Sequence, residues 1–138
     1  MHLSVAIPCF NEAQTNPRLA TALDLTVAEL QAARHHPEVL VVDDGSFDGS
    51  AVALKSRRLT PLASHHHLTW RRNFGQTAAM STGFAAAAGD VIIPMDADIQ
   101  NDTADIPRLL AKVDEGFDVV SRWLGWVSGV PLTIMGAR

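Results

Sequence analysis

Cysteine is nearly absent: Cys9 is the only one in 138 residues. That excludes an internal disulfide framework and fits a reducing compartment. Long apolar runs are missing as well. No stretch reaches the roughly 18 residues needed to span a bilayer. The N-terminus, Met1-His2-Leu3-Ser4-Val5, lacks the basic, apolar and small-residue regions of a signal peptide. Positive charge is scarce, with 11 Lys and Arg against 15 Asp and Glu, a net charge of -4 and a pI near 5.8. Arg57-Arg58 and Arg71-Arg72 are no more than doublets, which argues against nucleic acid as the main partner. Internal repeats, low-complexity tracts and linkers are also lacking. What remains is a chain with 47% hydrophobic residues, of a length that suits one domain with a real core.

Residues 3–8 read as a short buried strand ending at Pro8-Cys9-Phe10-Asn11-Glu12. Asn16-Pro17 reads as a helix start, with Asn as N-cap and Pro at the first helical position. Leu19, Leu23, Val27 and Leu30 follow at helical spacing and give one apolar face, and His35-His36-Pro37 stops the helix. Residues 38–43 form a second strand, too uniformly apolar to be half exposed. Asp44-Gly45-Ser46 is turn chemistry, and 48–58 supplies a short helix. Residues 60–69 read as a loop and an edge strand containing His65-His66-His67. An Ala-rich helix over 74–88 ends at Gly89 as its C′ glycine. Residues 91–95 are the next strand. Thr103 or Asp105 caps a helix that has Pro107 near its start and runs to Gly116, and 117–121 is a last short strand. The apolar, uncharged 124–137 segment reads as a groove filler, a membrane-lying segment or a loose end. Strands alternating with helices predict an α/β domain, its parallel sheet covered on both faces through right-handed crossovers.

The chemistry concentrates in Val91-Ile92-Ile93-Pro94-Met95-Asp96-Ala97-Asp98-Ile99-Gln100, an apolar run that ends in two carboxylates one residue apart. With the Gln100 carbonyl, these are hard oxygen ligands for Mg²⁺ or Mn²⁺, and such an ion would neutralise a bound diphosphate. In open α/β sheets ligands bind outside the carboxyl ends of the strands. Three strand ends carry polar clusters: Asn11-Glu12, Asp43-Asp44-Gly45-Ser46, and Asp96-Ala97-Asp98 with Gln100. They are expected to converge on one crevice. Asp43-Asp44 also suits a plain turn in which one Asp caps the following helix. A solvated loop at Asp96 and Asp98 is less attractive, because paired carboxylates raise each other's pKa unless a cation or donor lies between them.

Arg71-Arg72-Asn73-Phe74-Gly75-Gln76 precedes a helix start, where free N–H groups favour anions. An Arg there could reach a phosphate or form a solvated basic turn. The three consecutive histidines cannot face one point and have no Cys or acid spaced with them as metal ligands. Cys9 reads as a packed small hydrophobe, and Trp123 and Trp126 as core or rim residues.

Four motifs stand in order: Ile7-Pro8-Cys9-Phe10-Asn11-Glu12, Val41-Val42-Asp43-Asp44-Gly45-Ser46-Phe47-Asp48-Gly49, Arg72-Asn73-Phe74-Gly75-Gln76, and Met95-Asp96-Ala97-Asp98-Ile99-Gln100-Asn101-Asp102. Together they resemble the family 2 glycosyltransferases, in the polyprenyl-phosphate branch of dolichol-phosphate mannosyltransferases and undecaprenyl-phosphate sugar transferases. The resemblance implies a GT-A fold, Rossmann-like and mostly parallel with helices on both faces. It implies a nucleotide-diphosphate-sugar donor, a polyprenyl phosphate acceptor, Mg²⁺ or Mn²⁺, and transfer with inversion. By the same analogy Pro8, Phe10, Asn11 and Glu12 line the base and ribose pocket, with Phe10 in place of the usual Tyr. Asp43 and Asp44 include the carboxylate that reads the base. Arg72 and Gln76 join the substrate-binding set. Asp96 contacts the ribose or the metal shell, while Asp98 and Gln100 hold the metal on the diphosphate. Asp96 and Asp98 are thus the catalytic candidates.

The resemblance runs to about Ser121. It divides the chain into a nucleotide-sugar-binding domain over 1–121 and a divergent tail over 122–138, with the acceptor region incomplete. The expected location is cytoplasmic, at the inner face of the cell membrane. An exposed 124–137 segment would suit a membrane surface or a homo-oligomer. Three other readings compete. A donor-binding module without transfer shares every motif. A phosphotransferase with Asp96 as nucleophile conflicts with Gln100 and with the late position of the motif. A receiver domain conflicts with the strand and helix that precede Asp43-Asp44.

Overall fold

A computed structural model describes residues 1–56, 63–98, 103–121 and 133–136. The first strand, β1 (His2–Cys9), is buried from Leu3 to Cys9, which is possible only for a strand covered on both faces. It pairs in parallel with β2 (His36–Asp43) on one side and β4 (Val91–Pro94) on the other. An edge strand, β3 (Ser64–Thr69), pairs in parallel with β2. Pro37 is tolerated inside β2 for a local reason. His36 N–H donates to Met1 O, so by alternation the Pro37 nitrogen faces the β3 side, where pairing starts only at Glu38.

One face of the sheet carries Leu3, Val5, Ile7, Val39, Val41 and Ile93. It is covered by α1 (Asn16–Ala32), through Leu19, Leu23, Val27 and Leu30, and by α4 (Ile106–Asp114), through Ile106 and Leu110. Each fully buried Leu contributes roughly 1.5–3 kcal/mol of transfer free energy. The opposite face meets α3 (Gln76–Ala86), whose small residues let it approach closely. A Cβ on Gly83 would lie 3.2 Å from Ala6 Cβ and 3.5 Å from Val42 Cγ2. The short α2 (Ser50–Ser56) packs on α1.

Three sequence expectations change in detail. Helix α1 has Thr15, not Asn16, at its N-cap. Asn16 is buried, and its Nδ2 donates to Ser50 O at 3.2 Å, tying α1 to α2. Helix α3 ends at Ala86, so Gly89 is not its C′ residue. Gly89 lies instead where a Cβ would meet Ser4 N and Oγ at 2.7 Å, so it is the approach to β1 that demands glycine. Gly116 does fill the helix-ending role for α4, with φ 103 and its N–H on Val113 O. Finally, the sheet is mostly parallel, as the resemblance implies, where strand–helix alternation alone predicts a parallel one. Thr133–Gly136, within the segment whose role the sequence leaves open, forms β6, antiparallel to both β4 and β5 (Val119–Ser121). The order is β3-β2-β1-β4-β6-β5, with Ile134 fully buried in the inserted strand.

Strand alternation splits the histidine run. His66 Nε2 stands 3.7 Å from Glu38 Oε2 on one face, while the rings of His65 and His67 meet at 4.5 Å on the other. Burial pushes the His65 imidazole down to about 4, helped by His67 and His66 and opposed by Asp24. His67 is lowered by burial and then by Lys55. The unfolded chain takes up these protons near pH 6.5, whereas the folded chain resists them. Stability is therefore fully present above pH 6.5 and is lost as pH falls toward 4. The urea midpoint is expected to drop across that window, and more shallowly in His65→Asn. Identical pH profiles for the two proteins would overturn the assignment.

Candidate active site

The strand order reverses direction at β1, with β2 and β3 on one side and β4 on the other. Such a switch point opens a crevice at the carboxyl ends of the strands. A cleft of about 410 Å³ lies there, lined by Pro8, Cys9, Phe10 and Glu12 after β1, Asp44 after β2, and Asp96, Ala97 and Asp98 after β4. Asn73, Gly75, Gln76 and Ala79, leading into α3, close its remaining side. The volume lies in the usual range for small-molecule sites.

Pro8, Phe10, Glu12, Asp44, Gln76, Asp96 and Asp98 thus share one cavity, as their motifs suggest. The other candidates have different places. Asn11 adopts φ 53 and serves as a lock: its N–H donates to Ser46 Oγ, and its Oδ1 accepts from Phe47 N. Asp43 is buried, with Oδ1 accepting from Ser46 N, and does not line the cleft. The Arg72 guanidinium stacks 4.5 Å from the Phe74 ring centre, also away from the lining. Gln100 lies outside the described residues, as do Trp123 and Trp126. Asn73 and Cys9 line the cleft although no site role is read for them from sequence. Asn73 sits inside the quoted Arg-Asn-Phe-Gly-Gln motif, and that position was the available signal. Burial, then Asp43 and Glu12, push the Cys9 thiol up to about 12, which keeps it protonated and unreactive.

The rims are held by named bonds. Asp44 N–H donates to Cys9 O, Asp48 Oδ2 accepts from Ala13 N, and Asp48 Oδ1 accepts from Ser50 N. The loop after β1 and the turn after β2 are therefore cross-tied. Asp44, only 2% exposed, accepts from Phe74 N at 2.7 Å and Gly75 N at 2.9 Å. It fixes the entrance of α3 while one side of the residue faces the cavity. Gly45, at φ +78, passes so close to the Arg72 backbone that a Cβ would lie 2.4 Å from its carbonyl carbon. Asp44→Ala is expected to leave two N–H groups unpaired, cost roughly 1–3 kcal/mol of stability, and weaken nucleotide binding even without metal. Calorimetric titration with UDP or GDP checks this; unchanged affinity would leave Asp44 as a turn residue only.

Across the cavity, Asp96 is half-buried and Asp98 exposed. Burial and then Asp98 raise the Asp96 carboxyl, and a hydrogen bond from Gln76 Nε2 opposes them. Two carboxylates in mutual repulsion at a cavity wall suit a divalent cation. Among the described residues no three His, Cys, Asp or Glu side chains gather to hold an ion. Mg²⁺ and Mn²⁺ sites commonly combine one or two carboxylates with substrate phosphate oxygens, so the donor set fits an ion shared with a diphosphate.

The model of the family described as "Glycosyl transferase family 2" matches residues 4–135. An undecaprenyl-phosphate 4-deoxy-4-formamido-L-arabinose transferase of Pseudomonas fluorescens (strain Pf0-1) is 42% identical over 118 residues, covering 86% of this chain and 34% of that protein. The chain spans about a third of the length of such curated relatives. Among solved structures, S. aureus TarS in complex with UDP-GlcNAc aligns with a TM-score of 0.70 and 22% identity, over 86% of this chain and 33% of that one. The mannosyltransferase PcManGT of Pyrobaculum calidifontis, in complex with GDP-Man and Mn²⁺, aligns with a TM-score of 0.60 and 24% identity, over 70% of this chain and 27% of that one. At these identities the likeness concerns the fold, which is that of the GT-A glycosyltransferases.

Proposed function

This chain belongs to glycosyl transferase family 2, and from that premise we propose that it forms the donor-binding part of an enzyme moving a sugar from a nucleoside-diphosphate sugar to a polyprenyl phosphate. The observation that carries the reading is the meeting of three strand ends on one cleft, with the Asp96–Asp98 pair facing the wall built from Phe10, Asp44 and Asn73. The base and ribose lie against Pro8, Phe10, Glu12 and Asn73. The diphosphate points toward Asp96 and Asp98, with Gln100 as a further ligand. A bound Mg²⁺ or Mn²⁺ would stabilise charge on the departing nucleoside diphosphate.

The acceptor phosphate oxygen attacks the anomeric carbon from the face opposite the departing diphosphate. The bond from that carbon to the β-phosphate oxygen breaks, and the nucleoside diphosphate leaves with the electron pair. Configuration inverts. Because a lipid phosphate is already anionic, the chain needs no strong general base. The undecaprenyl-phosphate transferase relatives support a polyprenyl acceptor, and a lipid acceptor would bring the chain to a membrane surface. No helix among the described residues is long and apolar enough to cross a membrane. Family membership replaces the phosphotransferase and receiver readings, which shared only the acidic strand ends.

The test is calorimetric titration of UDP- and GDP-sugars with and without MnCl₂, followed by transfer of labelled sugar to undecaprenyl phosphate. Metal-dependent binding with transfer supports the enzyme. Metal-dependent binding without transfer identifies a donor-binding module, and absence of nucleotide binding overturns the reading.

A further inference from the structure

Gln76 is the first residue of α3, and its side chain reaches across the cleft to the end of β4: Nε2 donates to Asp96 Oδ1 at 3.1 Å. The residues just before it have little freedom. Phe74 N–H and Gly75 N–H are both held by Asp44, and the backbone at 72–73 passes where Gly45 has no side chain. A chain of short contacts therefore runs from the end of β2, through 73–76, to the end of β4. We propose that Gln76 is a positioning residue that aims the Asp96 carboxylate at the cation site, with the Asp44-pinned segment 73–76 as its fixed support. The proposal rests on the donor reading above and deepens it.

The chemistry of the amide suits the task. Asp96 is half-buried and repelled by Asp98, and the Gln76 amide donates to its carboxylate against that repulsion. A Lys or Arg in place of Gln76 would pair with the carboxylate and compete with a divalent ion for it. A Glu would bring a third negative charge to the wall. The neutral N–H donor avoids both problems, because it holds Asp96 Oδ1 without adding charge to the wall. Metal ligands are commonly oriented by such outer hydrogen bonds, whose loss costs about 10–100-fold in metal affinity.

The readout is the factor by which saturating MnCl₂ tightens UDP binding in calorimetry, repeated with GDP, together with the electron paramagnetic resonance spectrum of the bound Mn²⁺. Gln76→Ala, which removes the arm, and Gln76→Glu, which keeps its shape without the donor, are expected to lower that factor about tenfold and to change the Mn²⁺ spectrum. Gln76→His, which retains an N–H donor, is expected to restore most of the factor. Thermal unfolding of each variant confirms that the fold is kept. An Mn²⁺ factor in Gln76→Ala within twofold of the parent overturns the proposal. Equal losses in all three variants do so too, since they would make Gln76 a direct nucleotide contact. If the parent chain binds UDP or GDP with no Mn²⁺ factor, this proposal falls alone; if it binds neither nucleotide, the donor reading falls with it.

Discussion

Asp98→Asn is expected to lose about 100-fold of the Mn²⁺-dependent affinity for a nucleoside diphosphate, equivalent to about 2.7 kcal/mol, while folding as stably as the parent. The substitution keeps the shape and one oxygen but deletes a charge at an exposed position of the cleft wall. With Asp98 neutral, Asp96 alone faces the ion, and a single carboxylate holds Mg²⁺ or Mn²⁺ far less well than two. The relief of repulsion on the Asp96 carboxyl is one reason the substitution is not expected to destabilise the fold. Binding without metal should change little or improve, since less negative charge confronts the diphosphate. The comparison to make is therefore affinity with and without MnCl₂ in both proteins. Equal metal dependence in parent and variant would remove Asp98 from the metal site.

Gly45→Ala is expected to cost roughly 3–5 kcal/mol of stability, combining left-handed backbone strain with overpacking. Its φ of +78 already disfavours a side chain, and the new Cβ would lie 2.4 Å from the Arg72 carbonyl carbon and 2.7 Å from its Cα. These are backbone atoms, which cannot rotate aside as a flexible side chain could. To relieve the clash, residues 72–75 must retreat, which breaks the bonds from Phe74 N and Gly75 N to Asp44 and moves Asn73 and Gly75 away from the cleft. Nucleotide affinity should fall in the molecules that still fold. Gly49→Ala is the matched control: φ is +90, but nothing stands within 4 Å of its Cβ. Urea unfolding should place the two variants well apart. If Gly45→Ala lies within about 1 kcal/mol of Gly49→Ala, strain alone explains both.

The parts of this fold that were legible in the sequence are those where one physical requirement dominates. Leu19, Leu23, Val27 and Leu30 repeat at helical spacing because one stripe of α1 must be apolar, and all four are buried. The uniform burial of Val39 to Val42 follows from a strand covered on both faces. The strand-end acids meet in one cleft because a parallel sheet places its carboxyl ends along one edge. What escaped sequence reading depends on which atoms are already engaged. Asn11 and Asp43 stand in motifs beside Glu12 and Asp44, yet backbone N–H groups of the neighbouring turn take one side-chain oxygen of each. Arg72 finds the Phe74 ring, a partner that motif spacing does not show. Gly89 looked like a helix stop because a contact with Ser4, far away in sequence, leaves no local trace. Four-residue β6 is too short to show a period, and its place follows from the open edges of β4 and β5.

The position of β1 between β2 and β4 has a consequence for how the protein comes into being. The strands β1, β2 and β3 neighbour one another in the order in which they are made, whereas β4 must return past them to dock against the free side of β1. The wall bearing Phe10 and Asp44 can therefore be in place before the wall bearing Asp96 and Asp98 exists. A chain emerging from the ribosome has no complete cleft until residues 91–98 have been made and seated. A ligand that needs both walls can recognise only a chain in which β4 has already seated against β1, so its occupancy reports a later step of assembly rather than guiding the first.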